Sequence, residues 1–320
     1  MQSNSNNQAT YVNLKSVRRS TSKSNIQECI ISYLMLLPQI IGFCVFTIYP
    51  IIWVFRFAWF DYNGILPERF IGMENFINIF TNDIEFWKSL LNTLILTFGK
   101  LFVEMPLALI LAVILHTKIK GRDFFRTMFY MPTIISVAVI GLIFSILFSS
   151  FNGVINELLL NFRFIQNPIN WFGYKWTAMS VIMIASIWQS YGINMLFFLT
   201  GLQNIPKDIY ECAEIDGANK YQQFFKITLP LLAPIAQIIL MLSIIGTMKV
   251  TDLVLVLTNG QPAGQTEVVM TYVFKFFFNT GLSGGGIQAG YGSALGIVTS
   301  IILGLITILY FKITKKANDV

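Results

Sequence analysis

Six apolar runs, each long enough to cross a bilayer, constrain this chain more than any other feature. They fall at about 29–57, 90–116, 124–148, 176–202, 231–257 and 291–311. About 20 apolar residues span the hydrocarbon core as a helix, and helices and closed barrels are the only structures that satisfy their own backbone there. Charged residues make up 12% of the 320 residues, about half the share of a soluble domain. The expectation is an all-α integral membrane protein with six transmembrane helices. The first run is too long for a signal-peptide core and lacks a small-residue cleavage site, so it reads as an uncleaved span. Its Pro38 and Pro50 are compatible with a transmembrane helix.

Lysine and arginine set the orientation. Fourteen of the 22 fall in the N-terminal segment, the turn between the second and third runs, the segment between the fourth and fifth, and the C-terminus. Six, namely Arg56, Arg69, Lys88, Arg163, Lys175 and Lys275, fall on the other side, and Lys100 and Lys249 lie within runs. The positive-inside rule places both termini and the 204–230 segment in the cytoplasm. It also accounts for the net charge of +6 without a nucleic-acid partner, for which no arginine-rich groove segment or aromatic motif is present. The chain divides into a disordered polar tail (1–28), a first helix with an external loop (29–88), a core of five spans (89–313) and a C-terminal tail (314–320). A Gly-rich loop with Gly284, Gly285 and Gly286 precedes the last span. Cys29, Cys44 and Cys212 form no disulfide framework.

The segment YECAEIDGANKYQQFFKITLPLLAP, 210–234, is the most polar long stretch between two strongly apolar runs. Asn204 is placed to cap a helix starting near Pro206, and Asp216-Gly217 to end it with a left-handed glycine. Asn219 starts a second helix, whose Tyr221, Phe224, Phe225 and Thr228 share one face at i, i+3, i+4, i+7. Pro230 then opens the fifth apolar run. Such a hairpin cannot lie in lipid. It is either a solvated connector or an element that docks into a groove of a soluble partner.

The spacing E-x-A-x-x-D-G-A-x(10)-L-P, carried by Glu211, Ala213, Asp216, Gly217, Ala218, Leu229 and Pro230, resembles the signature loop of permease subunits in binding-protein-dependent ABC importers. Cys212 stands where that family usually has alanine. The wording NIPKDIYE and FFKITLPLL resembles the carbohydrate-uptake, maltose-type branch. Asn92-Thr93, Arg126, Pro132, Gly153, Asn156, LTNGQPAGQTEVVMTYVFKFFF and YGSALG resemble its scattered landmarks, with Gln261 where a glycine is common. The resemblance covers about 43–313. It implies a type I permease, multi-pass in a bacterial or archaeal cell membrane. The expected partners are a second permease subunit, two cytoplasmic ATPase subunits, a solute-binding protein and a carbohydrate substrate. ATP and Mg²⁺ are expected on the ATPase subunits and no cofactor on this chain.

Polar groups recur inside two runs. Ser186, Gln189, Ser190 and Asn194 share one face of the fourth, and Ser243 and Thr247 pair on the fifth. Hydroxyls and amides at such positions either join helices or line a hydrophilic path for a sugar. The maltose-type resemblance places a mid-membrane substrate path at Ser186, Gln189, Ser190, Ile193, Ser243, Gly246, Thr247 and Val250, next to Asn194. Lys100 and Glu104, at i, i+4 in the second run, read as a mutually neutralising structural pair. Lys249 and Asp252 sit near the outer end of the fifth run, where long side chains snorkel. His116 has no second metal ligand near it in sequence. There is no G-x-x-x-x-G-K-[ST] loop, no HExxH and no CxxC, so the chain is not expected to hydrolyse ATP or to be an enzyme. Beside the carbohydrate importer stand an ABC permease for another solute such as glycerol phosphate, an ion-driven secondary transporter and a non-transporting sensor subunit.

Overall fold

The structure, a computed structural model, describes residues 14–65, 68–117, 119–278 and 286–318. It forms two compact units, Met1–Arg56 and Phe57–Val320. In the first, α1 (Leu14–Phe43) passes through one wide π-helical turn, Cys44–Ile48, into α2 (Tyr49–Arg56). Pro50 accounts for the wide turn. Its ring has no N–H to donate and would strike the carbonyl four residues back in regular α geometry. The tail expected to be disordered over 1–28 is helical from Leu14 onward. An apolar span has already met the nucleation cost, and the Lys, Arg, Glu and Gln that precede it are good helix formers that propagate the helix.

The second unit opens with a short hairpin of β1 (Phe60–Asp61) and β2 (Arg69–Phe70), antiparallel, with Phe60 opposite Phe70 and Asp61 opposite Arg69. Then come α3 (Glu74–Thr81) and the long α4 (Ile84–His116), which Asp83 caps by accepting the Phe86 N–H at 2.9 Å. The expected external loop is therefore not a separate appendage of the first span. Ala58, Ile79 and Phe86 are buried against Val269, Val273, Ala294 and Leu295 in one core cluster.

The third apolar run is not one straight span. α5 (Arg122–Ile134) and α6 (Val137–Leu147) meet at 96° across the extended Ile135 and the non-helical Ser136. Pro132 lacks the N–H that the last turn of α5 needs, and the chain leaves the helix three residues later. At 1.5 Å per residue the two pieces reach about 20 and about 17 Å, each short of the ~30 Å core. α7 (Val154–Asn161) and α8 (Lys175–Gln203) follow. A Cβ on Gly192 would lie 2.2 Å from the Phe129 carbonyl oxygen, so this glycine is what lets α5 lie directly on α8.

α9 (Lys207–Ile215) and α10 (Lys220–Gln223) form the polar hairpin. A second π turn, Phe224–Thr228, two residues before Pro230 just as the first is before Pro50, carries α10 into α11 (Leu229–Met248). The fifth apolar run breaks again after Met248, and α12 (Asp252–Leu257) resumes it. α13 (Val269–Phe277) and α14 (Ala289–Asn318) complete the fold. Gly284 and Gly285 of the expected Gly-rich loop lie outside the described residues. Five helices are long and apolar enough to cross a membrane, or six when the bent α5–α6 pair counts as one span.

Buried side chains fix the ends of this bundle. Asn92 donates to the carbonyls of Gln265 and Glu267, both at 2.9 Å, and Thr93 accepts the Val269 N–H at 2.9 Å. Asp83 accepts from Tyr272 (2.8 Å) and Tyr291 (2.6 Å), joining α4, α13 and α14. Asn156 bonds Ser149, Ile169 and Trp171 and so folds the 149–171 loop around itself. Glu267 pairs with Lys275 at 2.5 Å, and burial pushes its carboxyl above the usual carboxylate range.

Candidate functional site

Two features can carry function: the hairpin at one end of α8 and α11, and a polar seam that joins the same two helices to α4. The hairpin is locally self-sufficient. Gly217 adopts φ +80°, and the Ala218 N–H returns to the Ala213 carbonyl at 2.9 Å, closing α9 with a left-handed cap. Asn219 and Gln222 form a reciprocal capping box at 2.9 Å in each direction. Asn204 does not start α9. Its N–H donates to the Gly201 carbonyl and ends α8, and Pro206 stands before α9 instead. Tyr210 and Thr228 hydroxyls meet at 2.9 Å and hold α9 against the root of α11.

Ala213 is buried in the turn, whereas Glu211, Asp216, Gly217, Leu229 and Pro230 are exposed and Ala218 is half-buried. Of the expected face, Tyr221 and Phe225 are exposed, Phe224 is half-buried and Thr228 is buried, because the π turn Phe224–Thr228 changes the register. Tyr221 is 76% exposed, and Ile215, on the opposite side of the turn, is 85% exposed. The Tyr221 and Phe225 rings meet at 5.1 Å, tilted by 39°. An added Cβ on Gly217 meets nothing within 4 Å, so its requirement for glycine comes from the dihedral angle alone.

The polar seam joins three helices. Glu104 of α4 has a fully buried side chain and pairs with Lys100 at 3.6 Å. Its Oε1 accepts from the Ser190 hydroxyl and from Asn194 Nδ2 (2.8 Å), both of α8. Asn194 also donates to Ser243 Oγ of α11 at 3.1 Å. Sequence reasoning kept the Lys100–Glu104 pair apart from the α8 and α11 clusters, whereas the structure makes them one network. Ser190, Asn194 and Ser243 therefore join helices. Periodicity within one helix could not reveal this, because the acceptor comes from another.

The remaining path residues divide by exposure. Ser186 and Thr247 are buried, and the Thr247 hydroxyl returns to the Ser243 carbonyl at 2.8 Å. Gln189, Ile193 and Val250 are half-buried, and Gly246 is open, with nothing within 4 Å of an added Cβ. The Gln189 carbonyl accepts from Thr133 at 2.9 Å, beside the α5–α6 bend. Two interruptions of helix, 135–136 and 249–251, thus fall well inside the apolar runs. Non-helical backbone at membrane depth persists only where protein buries it or water lines it. No cluster of three or more metal-ligating side chains occurs among the described residues.

A bundle of membrane-crossing helices with interrupted spans, a buried polar seam and a solvent-facing hairpin between two spans defines a polytopic membrane transport subunit. Residues 104–317 match the family described as binding-protein-dependent transport system inner membrane component, and the chain belongs to that family. It is 35% identical over 286 residues to the arabinooligosaccharides transport system permease protein of Bacillus subtilis (strain 168), covering 88% of each chain. It is 34% identical over 304 residues to the trehalose/maltose transport system permease protein of Thermococcus litoralis, covering 93% of this chain and 98% of that protein. A chain in the crystal structure of a bacterial ABC transporter involved in the import of the acidic polysaccharide alginate superposes with a TM-score of 0.78. It is 23% identical and covers 92% of this chain and 98% of that one, a likeness of fold.

Proposed function

We infer that this chain is the permease subunit of an ATP-driven importer, forming part of the path for an oligosaccharide handed over by a solute-binding protein. The observation that carries the reading is the shared use of α8 and α11. These two helices flank the exposed hairpin, and they also hold the polar seam and one of the two interruptions. A push on the hairpin reaches the path through rigid helices, as alternating access requires. The sugar class is supported by the relatives, several of which are named for arabinooligosaccharides, trehalose and maltose, or lactose.

In this reading both termini and the 204–230 hairpin are cytoplasmic. Glu211, Ala213, Asp216, Gly217, Ala218, Leu229 and Pro230 shape the hairpin that seats in an ATPase subunit. Gln189, Ile193, Gly246 and Val250 border the path, and Ser186, Ser190, Asn194, Ser243 and Thr247 form its wall. A second permease subunit closes the other side, and ATP and Mg²⁺ belong to the two ATPase subunits. Proteoliposomes containing the complete complex test this with labelled oligosaccharides. Uptake should need internal-facing ATP and the binding protein, and should ignore ionophores. Uptake abolished by an ionophore in the absence of ATP would assign the chain to ion-driven transport instead.

A further inference from the structure

Lys249 is the cation that the fold leaves unexplained. It follows the last residue of α11, at the interruption before α12, and its side chain is exposed. Among the described residues no carboxylate lies within ion-pair distance of it. Asp252, three residues on, makes no pair with it. Snorkelling to the membrane surface explains such a lysine only if it sits near that surface, so its depth decides the question.

The hydrogen bonds fix that depth. Glu104, Asn194 and Ser243 lie at one level, and Glu104 is close to the middle of the apolar run of α4. Lys249 is six residues beyond Ser243, about 9 Å toward the end of the bundle bearing Ile84 and Lys175. Half of the hydrocarbon core is about 15 Å. α14 gives the same answer. Lys249 lines a cavity of about 310 Å³ together with Ile245, Ser300, Gly304 and Thr307. Ser300 to Thr307 occupy the middle of the span Ala289–Thr314. The Lys249 backbone is therefore inside the membrane slab, and its side chain lines a cavity between α11 and α14.

A lysine whose backbone sits at that depth, with no carboxylate among the described residues in reach, is placed to receive an anion. We propose that Lys249 reads a carboxylate on the transported sugar, while the Ser300 and Thr307 oxygens accept from its hydroxyls, so that the substrate is an acidic, uronate-bearing oligosaccharide. This rests on the oligosaccharide reading above. A phosphate monoester fits less well. It carries nearly two charges and calls for a bidentate arginine or several donors, whereas one lysine balances one carboxylate. The cavity is at the small end of ligand sites, roughly 300–1,000 Å³, which suits a single sugar unit. The hydroxyls donate back to the Gly296 and Leu303 carbonyls at 2.8 Å each, which turns their oxygen lone pairs outward as acceptors for sugar hydroxyls.

The test uses the complete transporter with its binding protein in proteoliposomes. The probes are a panel of uronate disaccharides and neutral disaccharides of the same linkages. The wild type should take up at least one acidic sugar at least tenfold faster than its neutral counterpart. Lys249→Met should lose about tenfold of that uptake while keeping assembly and basal ATP hydrolysis, and Lys249→Arg should restore most of it. Equal uptake of the acidic and neutral pair, or unchanged acidic uptake in Lys249→Met, overturns the proposal and leaves the oligosaccharide reading intact. Failure to take up any sugar of either kind overturns both. Should Lys249→Met fail to assemble, the wild-type preference between the paired sugars still decides.

Discussion

The buried seam makes a quantitative prediction through Glu104. Replacing it by leucine keeps the volume but leaves the Lys100 ammonium buried with no counter-charge, since Glu104 is its one ion-pair partner among the described residues. Removing one member of a buried pair costs about 3–5 kcal/mol. Ser190 loses one acceptor, though its hydroxyl still reaches the Ser186 carbonyl at 2.8 Å. Asn194 keeps only Ser243. Interhelical bonds in membranes are worth about 0.6 kcal/mol each, so these losses add roughly 1 kcal/mol. The single variant should therefore be less stable by about 4–6 kcal/mol. The double variant Lys100→Met/Glu104→Leu removes both charges and should lose only about 1 kcal/mol. Reversible unfolding in mixed micelles, followed by tryptophan fluorescence, reads both. A double variant no more stable than Glu104→Leu would refute the reasoning, because the penalty would then lie in packing rather than in the unpaired charge.

Five further outcomes follow. Gly217→Val, strained at φ +80°, should leave the chain in the membrane but reduce co-purification of the ATPase subunits or uncouple hydrolysis from uptake. Wild-type values of both would reduce the hairpin to a connector. Single cysteines at Gly121 and Asn219 should be shielded from a membrane-impermeant thiol reagent in intact cells and one at Asn82 labelled, and the reverse pattern inverts the orientation. Gln189→Leu should lower uptake without loss of assembly, whereas Asn92→Leu, which strips both bonds to 265–267, should loosen the 265–277 segment as measured by hydrogen exchange. That segment should also respond to pH. The Glu267 carboxyl is raised by burial, so its contribution to stability is full below the ordinary carboxylate value of 4.5 and lost as pH rises through the raised one. Protection factors corrected for intrinsic exchange should fall over that rise, and Glu267→Gln should flatten the response.

What could be read from the sequence was whatever one helix decides by itself. The hairpin is the clearest case. Its glycine cap, the Asn219 start and the Tyr221–Phe225 face all follow from residues within a dozen positions of one another. The six apolar runs likewise announced their own existence. Their continuity was another matter. Pro132 and the polar stretch after Met248 were visible, but proline is common in spans that stay straight, and only the packing of α6 and α12 against α8 in one core cluster makes the bends stable. Asn204 was misplaced for a related reason: a residue between two helices can end one or begin the next, and its side chain alone does not choose.

The seam shows where local reading stops and why the distinction matters for transport. Glu104 was read against Lys100 because they are one turn apart, and Ser190 against Asn194 for the same reason. The bonds that count run across helices, from α4 to α8 and from α8 to α11, over separations of 86, 90 and 49 positions. They divide a single polar face into two parts with different duties. Ser190, Asn194 and Ser243 use up their capacity on one another and on Glu104, which ties the α8 and α11 roots of the hairpin to α4. Gln189 is half-buried and Gly246 and Lys249 are exposed, outside that network. In the proposed reading, a subunit that moves as a rigid lever and still offers hydrogen bonds to a passing solute needs both kinds of residue on the same two helices.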